Sequence, residues 1–468
     1  MDLIKKLAEI VGEANVLQGS DAANFAEDWT KRYPSQPLAV LRPGSTEEVS
    51  AIMKLAHETA TPVVPVSGNT SLAGGTHAEG ALMVSLSRMN RIREIRPSAR
   101  IAIVESGVIL AALHEACAAH DLVFPLTFGA RGSAMIGGAL STNAGGSNVV
   151  RYGSTRGLCL GVEVVLADGR VMNLMSELHK DNSGYDLKDL FIGAEGTLGL
   201  ITGAVVKLFP KPTAYATAMV AARDLPGALA LLNRIQIATG GLVEAFEYMP
   251  RSYMQDHLAR IEGARPAFDQ FYDTNIMIEV AATAPKDTTP AEDGSIPLVD
   301  QLEETLAEML EQGEILDAVV AKSDSQRAEM WKRREDAAEV TLDGRKMVDN
   351  DIALPTDKVP EFFNRMQQVL AEIDPGAEET CVAHLGDGNI HYSVIPTKTD
   401  ADFIDTIRER VEDVVLSMGG SFSAEHGIGL YKLPSMQRRK DPVALDVMRA
   451  IKSALDPRGL LNPGKVLP

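Results

Sequence analysis

Two histidines flank a predicted tight turn in the segment Ala383–Tyr392, and this hairpin constrains the fold more than any other feature of the chain. Its Gly-Asp-Gly-Asn core is typical of a turn, and apolar residues stand on both sides of it. If Leu385 pairs with Ile390 across a four-residue loop, His384 lies directly opposite His391. Directly opposed side chains share one face of a sheet, with Cβ atoms about 5 Å apart. The pattern therefore predicts two antiparallel strands whose imidazoles bind one metal ion.

A carboxylate and a third imidazole follow further along the chain, in Ala424-Glu425-His426-Gly427. Two histidines and one glutamate suit a zinc-like ion that keeps one coordination position open for substrate. We therefore predict a divalent metal of the zinc type on His384, His391 and Glu425. Manganese and iron(II) accept the same ligands, so the sequence leaves the identity of the metal open.

Composition excludes two classes of partner. The 468 residues carry a formal net charge of −19, which argues against binding nucleic acid and against docking by charge on anionic lipid.

The cysteines and the N-terminus bear on the cellular location. The chain has three cysteines, an odd number without a CxxC pair, so a set of disulfides is not expected and a reducing compartment fits. The first residues are too polar for a signal peptide, and no run of about 18 apolar residues occurs. We therefore expect a soluble cytoplasmic protein, with peripheral membrane association left open.

Short β-branched runs punctuated by glycine fill residues 37–210, with helical patterns between them. This alternation predicts an α/β or α+β domain that ends at the break Lys211-Pro212. Beyond the break, amphipathic patterns predict helices at Val299–Glu314 and Ser325–Glu339, and a strand is predicted at Lys346–Leu354. The predicted metal hairpin comes after this strand.

Three glycine-rich segments interrupt the first part of the chain, at Pro65–Gly75, Phe124–Gly146 and Phe191–Thr202. The first follows a predicted strand, and its small residues allow several N–H groups to converge on an anion. The second has two glycine pairs around a short helix start, which suits a large flat ligand lying on backbone. Each segment taken alone is equally compatible with tight turns. No G-x-G-x-x-G or Walker A pattern occurs, so a Rossmann nicotinamide site is not expected.

Together these segments resemble the FAD domain of the vanillyl-alcohol oxidase superfamily. The hairpin, Ala424–Gly427 and Leu461–Lys465 resemble its D-lactate and D-2-hydroxyglutarate dehydrogenase branch, and Phe124–Gly138 is most similar to the hydroxyglutarate enzymes. The resemblance covers nearly the whole chain, with the motifs in the same order.

The resemblance implies an α+β fold in three parts. A two-subdomain FAD-binding domain of the vanillyl-alcohol oxidase type is expected at residues 1–213. A cap domain with an antiparallel sheet and helices is expected at 214–420. A C-terminal segment at 421–468 then returns to the flavin.

The same resemblance predicts how the cofactor is held. The FAD diphosphate is expected on the first two glycine-rich segments, and two later residues are expected to approach the flavin. No histidine lies within Val66–Gly75, so we expect non-covalent FAD. The predicted FAD contacts are Ser67, Gly68, Asn69, Thr70, Ser71, Pro125, Gly132, Ser133, Ile136, Gly137, Gly138, Thr142, Asn143, Gly145, Gly146, Glu195, Gly196, Gly199, Ile201 and Asn462.

The chemistry implied by the resemblance is oxidation of a D-2-hydroxy acid to the 2-oxo acid. The hydrogen on C2 leaves as hydride to flavin N5, and the hydroxyl proton goes to a base. The divalent metal chelates the substrate carboxylate and hydroxyl and stabilises the alkoxide. His426 is the expected general base, because the reference pKa of histidine, about 6.5, suits neutral pH.

The residues expected near the distal end of the substrate depart from the hydroxyglutarate pattern. In those enzymes an Arg, a Thr, a Lys and an Asn lie there, and Arg334 matches the Arg in a W-x-x-R-E pattern. Ala338 replaces the Thr, Asp349 replaces the Lys and Ser393 replaces the Asn. The alternative for Arg334 is a solvated helix face. Because Asp repels a carboxylate that Lys attracts, we expect a neutral or cationic distal group.

Other functions stay open at this point. A D-lactate or glycolate dehydrogenase with a small pocket and an O₂-using oxidase share the same motifs. A metal hydrolase would use the same metal ligands, and a non-catalytic flavin module would use the same loops. The expected electron acceptor is an electron-transfer flavoprotein, a quinone or a cytochrome, and a homodimer is compatible with the sequence.

Overall fold

The protein is described from a computed structural model, which covers residues 3–341 and 344–468. Within these ranges the strands are β1 (Val16–Leu17), β2 (Ala39–Leu41), β3 (Val63–Val66), β4 (Leu82–Ser85), β5 (Ile92–Arg96), β6 (Ile101–Glu105), β7 (Leu122–Val123), β8 (Cys159–Val165), β9 (Val171–Leu174), β10 (Leu200–Lys207), β11 (Phe209–Pro210), β12 (Ala214–Ala222), β13 (Val243–Pro250), β14 (Thr274–Ala282), β15 (Ile315–Val320), β16 (Val348–Ala353), β17 (Glu378–His384) and β18 (Asn389–Ile395).

The α-helices of the same ranges are α1 (Leu3–Val11), α2 (Thr46–Thr59), α3 (Leu110–Ala118), α4 (Ile136–Thr142), α5 (Val149–Tyr152), α6 (Thr155–Leu158), α7 (Lys188–Phe191), α8 (Leu225–Thr239), α9 (Arg251–Arg260), α10 (Pro285–Thr288), α11 (Pro297–Glu311), α12 (Asp324–Glu335), α13 (Ala337–Thr341), α14 (Val359–Ile373), α15 (Ala401–Ser417), α16 (Leu433–Arg439) and α17 (Pro442–Leu455). Among the described residues, no helix is both long enough and apolar enough to cross a lipid bilayer.

The chain divides into two compact units. The first, called the FAD-side unit after the predicted cofactor, contains the described residues up to Gly145, together with Gly153–Pro210 and Glu425–Pro468. The second, the sheet unit, contains Gly146–Tyr152 and Lys211–Ala424. The predicted domain limits at 213 and 420 stay predictions, because compactness alone does not define parts that fold independently.

The FAD-side unit contains a four-stranded sheet with strand order β1-β2-β4-β3, in which β2 and β3 both run parallel to β4. Helices α1 and α2 bury their apolar side chains against one face of this sheet. The Ser45 hydroxyl caps α2 by accepting the N–H of Glu48, and Ala60 ends the helix with a left-handed φ of 52°. These local signals fix the helix that precedes β3 and the first glycine-rich segment.

A five-stranded antiparallel sheet with the order β5-β6-β10-β8-β9 completes this unit's main framework. Its strands are rich in valine and isoleucine, which favour a pleated, buried surface. Strand β6 is one of the β-branched runs on which the predicted domain rests. The third glycine-rich segment leads directly into β10, the central strand.

The sheet unit is built on seven antiparallel strands in the order β15-β12-β14-β13-β17-β18-β16. Because side chains alternate along a strand, the two faces differ in character. One face is apolar and packs with residues of α8, α11, α14 and α15. The opposite face carries methionines and a row of charged side chains, with residues of α9 and α12 packed against it. This polar face contains both histidines of the predicted hairpin.

The mixture of helices and antiparallel sheets confirms the α+β prediction. The helix predicted at Ser325–Glu339 is divided into α12 and α13 by Asp336. The carboxylate of Asp336 lies 3.0 Å from Nε2 of His257 and 2.7 Å from Nζ of Lys332. These contacts hold the Asp336 side chain at the junction between the two helices.

Candidate active site

The hairpin predicted around the two histidines exists, but its predicted register is wrong. Strand β17 ends at His384, which pairs with Asn389, while His391 pairs with Val382. The loop consists of residues 385–388, and the N–H groups of Asp387 and Gly388 both donate to the carbonyl of His384. The turn therefore begins and ends one residue earlier than expected, because Asn389 joins the ladder instead of the loop.

Despite this shift, the two histidines share the polar face of the sheet. They are diagonal neighbours, and a diagonal pair stays on one face because the side-chain period is two. Their ring centroids are 5.4 Å apart with an interplanar angle of 80°. A ring nitrogen of His384 lies within 4.8 Å of a ring nitrogen of His391. The pair can therefore contribute two ligands to one ion without rearrangement of the sheet.

Asp351 on β16 lies directly opposite His391. One oxygen of its carboxylate is 3.8 Å from Nδ1 of His391, and the same oxygen accepts a hydrogen bond from Nδ2 of Asn389 at 3.0 Å. Asp351 is buried. It adds negative charge beside the two rings, which favours a cation at this place.

Glu247 is a residue of this face that the sequence interpretation missed. It lies on β13 opposite His384 and has no exposed surface. Its Oε1 is 2.8 Å from Nδ1 of His384, and its Oε2 accepts the Nε–H of Arg334 at 2.7 Å. Burial alone raises the pKa of Glu247, but His384 and Arg334 outweigh burial and lower it to about 2. The signal in the sequence is a glutamate between two aromatic residues, Phe246 and Tyr248.

Arg334 is buried on α12, which excludes the solvated-face alternative. Its Nη2 is buried and has no hydrogen-bond partner among the described residues. A buried, charged donor of this kind is costly unless an anion satisfies it. Arg334 therefore fits a role in binding a carboxylate.

The other predicted substrate residues differ in their surroundings. Asp349 pairs with Ser393 across β16 and β18, and the hydroxyl of Ser393 donates to the Asp349 carboxylate at 3.1 Å. Both lie on the face that carries His391, two residues further along each strand. Ala338 is exposed on α13. The structure thus brings Asp349 and Ser393 together on the histidine face.

In the FAD-side unit, the first glycine-rich segment has the geometry of an anion nest. Strand β3 ends at Val66, and Asn69 has a left-handed φ of 51°. None of the N–H groups of residues 68–71 donates a hydrogen bond to another described residue. Successive unpaired N–H groups beside a left-handed residue bind phosphate oxygens well. The Ser71 hydroxyl accepts the N–H of Gly75 at 3.2 Å and stabilises the loop.

The second segment packs directly against the first. A Cβ on Gly68 would lie 2.3 Å from the carbonyl oxygen of Ser133, and a Cβ on Gly137 would lie 2.6 Å from Cβ of Ser106. Gly138 approaches the side chain of Ser67. Only glycine permits the approaches at residues 68 and 137, whereas a Cβ at residue 138 would make an ordinary contact. Of the remaining predicted contacts in this segment, Pro125, Ile136 and Gly145 are buried, Thr142 and Asn143 are partly buried, and Gly132 is exposed.

The third segment and the C-terminal motif meet at Glu195. The N–H of Glu195 donates to the carbonyl of Ser141 at 2.8 Å, which joins the third segment to α4. The side-chain amide of Asn462 donates to the carbonyls of Glu195 at 2.7 Å and Gly75 at 3.1 Å. The Oδ1 atom of Asn462 is buried without a partner among the described residues.

Further residues of the third segment are held by close packing. A Cβ on Gly196 would lie 2.3 Å from Cγ of Pro65, and one on Gly199 would lie 2.5 Å from Val164. Ile201 is buried on β10. The four predicted FAD-binding stretches therefore converge within the FAD-side unit, while Gly146 belongs to the sheet unit.

Glu425 and His426 open the last stretch of the FAD-side unit and are both partly buried. A Cβ on Gly145 would lie 2.4 Å from Oε1 of Glu425. Gly427 has a positive φ of 73°, and a Cβ there would lie 2.7 Å from Oε1 of Glu195. Glycine at both positions therefore leaves space for two carboxylates.

Comparison with known proteins gives the class of this enzyme. The family described as FAD binding domain matches residues 37–175. The family described as FAD linked oxidases, C-terminal domain, matches residues 211–466, more than half of the chain. The chain therefore belongs to the FAD-linked oxidase family, and FAD is its cofactor. This confirms the flavin-dependent oxidoreductase predicted from the sequence.

Curated relatives extend over the whole chain. The D-2-hydroxyglutarate dehydrogenase of Stutzerimonas stutzeri is 33% identical over 471 residues, which cover 99% of this chain and 98% of that protein. That of Xanthomonas citri pv. viticola is 35% identical, over 96% of this chain and 93% of the relative. The mitochondrial D-2-hydroxyglutarate dehydrogenase of Arabidopsis thaliana is 34% identical, over 98% of this chain and 80% of that protein. These matches confirm the resemblance to the D-2-hydroxyacid dehydrogenase branch.

Solved structures share the fold at low sequence identity. p-Cresol methylhydroxylase with substrate bound has a TM-score of 0.74 at 16% identity, over 99% of this chain and 96% of that chain. 4-Ethylphenol oxidase from Gulosibacter chungangensis has a TM-score of 0.71 at 18% identity, over 100% of this chain and 97% of that chain. At such identities the likeness concerns the fold alone, and it agrees with the predicted vanillyl-alcohol oxidase type.

The residues present fit FAD, and they also fit the predicted divalent metal ion. The unpaired N–H groups of residues 68–71 and the orphaned Oδ1 of Asn462 suit a large polar ligand lying on glycine-rich backbone. The bond from His384 to Glu247 suits a histidine whose other ring nitrogen binds a metal. The cytoplasmic location and the non-covalent attachment of FAD stay predictions.

Proposed function

We propose that the protein oxidises a D-2-hydroxy acid to the corresponding 2-oxo acid. The observation that carries this proposal is the histidine pair on the polar sheet face, backed by buried carboxylates, in a chain whose relatives are D-2-hydroxyglutarate dehydrogenases. Because the chain belongs to the FAD-linked oxidases, redox chemistry is favoured over hydrolysis at such a metal site.

We propose His384, His391 and Glu425 as the metal ligands, as predicted from the sequence. Glu247 and Asp351 support the assignment, because they place negative charge beside the two rings. A divalent ion such as zinc on these ligands would supply Lewis-acid polarisation of the substrate hydroxyl. The contribution of Glu425 rests on the sequence pattern and on the family resemblance.

We assign proton removal to His426. Its loop is held by Glu195, whose carboxylate accepts the N–H groups of Ile428 and Gly429. A base must keep its position relative to the substrate hydroxyl, and a fixed backbone provides this. When bound, FAD supplies the acceptor for the hydride that leaves C2.

Arg334 is proposed to bind the carboxylate next to C2, which every 2-hydroxy acid carries, through Nη2, since its Nε already donates to Glu247. Asp349 and Ser393 lie further along the same face and provide an acidic, hydrogen-bonding surface. An acidic surface disfavours a second carboxylate, so we propose a neutral or cationic distal group. The alternative supported by the relatives' names is D-2-hydroxyglutarate itself.

Two other candidates remain within the same chemistry: a D-lactate or glycolate type of dehydrogenase with a small pocket, and an oxidase that uses O₂. If O₂ is not the acceptor, the proposed acceptor is an electron-transfer flavoprotein, a quinone or a cytochrome. A homodimer is the proposed oligomeric state.

The test is a panel of D-2-hydroxy acids and their L-enantiomers assayed with an artificial electron acceptor. We expect activity with D-enantiomers only, and a higher kcat/KM for neutral-tailed acids than for D-2-hydroxyglutarate. Equal or higher kcat/KM for D-2-hydroxyglutarate contradicts the proposed distal group. Peroxide formation in air identifies the oxidase, and inactivity with every 2-hydroxy acid contradicts the proposal as a whole.

A further inference from the structure

Glu247, in the middle of the seven-stranded sheet, lies outside every motif that the sequence analysis identified. Glu247 lies on β13, between β14 and β17, where Met277 and His384 are its cross-strand neighbours. It has no exposed surface. A carboxylate in such a place is costly unless strong partners satisfy both of its oxygens. The identity of those partners indicates what the residue does.

Each oxygen of Glu247 has one such partner. Arg334 donates its Nε–H to Oε2 at 2.7 Å, and Nδ1 of His384 lies 2.8 Å from Oε1. An arginine stays protonated in proteins, so this pair keeps the carboxylate ionised. An ionised carboxylate only accepts hydrogen bonds. The proton of a neutral His384 ring is therefore on Nδ1, and the lone pair is on Nε2.

We propose that Glu247 is a positioning residue that fixes the Nδ1–H tautomer of His384 for metal binding and links this histidine to Arg334. Histidines that bind metals commonly donate their other N–H to a carboxylate, which orients the ring and raises its basicity. The proposal rests on the proposed function, because it gives His384 the role of a metal ligand.

Arg334 extends the effect of Glu247 beyond the histidine. Its Nη2 is buried and has no partner among the described residues, while its Nε is held by Glu247. Glu247 therefore lies between the side chain proposed to bind the metal and the side chain proposed to bind the substrate anion. Loss of this carboxylate releases both side chains, so metal affinity and KM change together.

A second glutamate provides a matched control. Glu279 is buried on the same face, on β14, and pairs with Arg327 of the same helix, α12. Arg327 donates both Nε and Nη2 to it at 2.7 Å, and Trp331 donates to it at 2.7 Å. The hydrogen bonds of Glu279 involve no histidine in the part of the chain that the structure describes. Glu279→Gln therefore disturbs the ion pair between a buried glutamate of this sheet and an arginine of α12 without touching His384.

The first measurement is the tautomer of His384 in metal-free holoenzyme. Ring nitrogen chemical shifts are recorded by NMR on protein labelled with ¹⁵N-histidine, with the His384 signals assigned through His384→Gln. We expect the proton on Nδ1 in the native chain and in Glu279→Gln. In Glu247→Gln we expect a mixture of tautomers. A proton on Nε2 in the native chain overturns the proposal, and this result does not require Glu247→Gln to fold.

The second measurement is the zinc dissociation constant, obtained by competition with a chromogenic chelator. Glu247→Gln is expected to weaken zinc binding by about 10- to 100-fold, as other carboxylate partners of metal-bound histidines do. Glu279→Gln is expected to stay within about threefold of the native chain. Native affinity in folded Glu247→Gln overturns the proposal. If the native chain has the Nδ1–H tautomer but binds no zinc, the metal part of the proposed function fails and the positioning of His384 stands.

Discussion

The carboxylate of Glu195 accepts a hydrogen bond from the N–H of Ile428 at 2.7 Å, two residues after His426. Its second oxygen accepts the N–H of Gly429 at 2.8 Å. Burial raises the pKa of Glu195 above its ordinary value, and these two donors oppose that increase. Both donors belong to the loop that begins at Glu425. Glu195 therefore fixes the backbone on which the proposed base and one proposed metal ligand stand.

Replacement of Glu195 by glutamine tests this role. The amide of Glu195→Gln accepts one N–H but turns its own NH₂ toward the other. An unsatisfied pair of buried donors costs about 1–3 kcal/mol, so we expect lower stability and at least a tenfold loss of kcat. Urea unfolding and steady-state kinetics measure the two effects.

The control for this variant is Glu105→Gln. Glu105 is buried in the same unit and accepts two side-chain hydrogen bonds from Arg91, of which the shorter is 2.7 Å. We expect this variant to lose stability while keeping kcat. If both variants keep native kcat, Glu195 has no role beyond folding.

A second prediction concerns the close packing of the first two glycine-rich segments. In Gly68→Ala the new Cβ meets the carbonyl of Ser133 at 2.3 Å, so the loop must move. We expect a loss of about 1–3 kcal/mol in stability, typical of overpacking, together with a lower FAD content. Gly129→Ala is the control in the same region, because a Cβ there meets nothing within 4 Å. Full FAD occupancy in both variants contradicts the proposed diphosphate site.

A third prediction concerns the metal. His391→Gln removes one proposed ligand from the polar sheet face, so the metal content of the purified enzyme is expected to fall from about one ion per chain to nearly none. Atomic emission measures this content. His257→Gln is the control, because His257 is buried in the same unit beside Asp336 and outside the proposed site. Equal metal content in the two variants would falsify the ligand assignment.

A fourth prediction concerns the substrate. Asp349→Lys changes a repulsion for a distal carboxylate into an attraction, worth on the order of 1–3 kcal/mol if the groups are desolvated. We expect kcat/KM for D-2-hydroxyglutarate to rise about tenfold or more relative to a neutral-tailed acid. Asp349→Asn, which only removes the charge, is expected to give a smaller rise. An unchanged preference in both variants shows that Asp349 does not contact the distal group.

The sequence predicted the parts of the site that depend on local patterns. Gly-rich segments after β3 and before β10 lie where their flanking strands indicated, because glycine density and β-branched runs are local signals. The hairpin was predicted with a register wrong by one residue at each end. Turn composition alone did not show that Asn389 bonds to Asp351 and thereby joins the strand.

Contacts between strands that are distant in the chain could not be predicted from the sequence. Glu247 and His384 meet because β13 pairs with β17, and nothing in either segment specifies this pairing. Likewise, a basic stretch on α12 is compatible with a solvated helix face. The burial of Arg334 follows from packing against the polar face of the sheet, where its guanidinium donates to Glu247.

We propose above that this chain uses bound FAD and a divalent metal to oxidise D-2-hydroxy acids. The most direct measurement mixes the holoenzyme anaerobically with a panel of D-2-hydroxy acids, with and without prior chelator treatment, and follows the yellow flavin absorbance. We expect rapid bleaching by at least one D-2-hydroxy acid, strongly slowed by the chelator and restored by added metal. Bleaching that the chelator leaves unchanged contradicts the metal site, and flavin that no 2-hydroxy acid reduces contradicts the function.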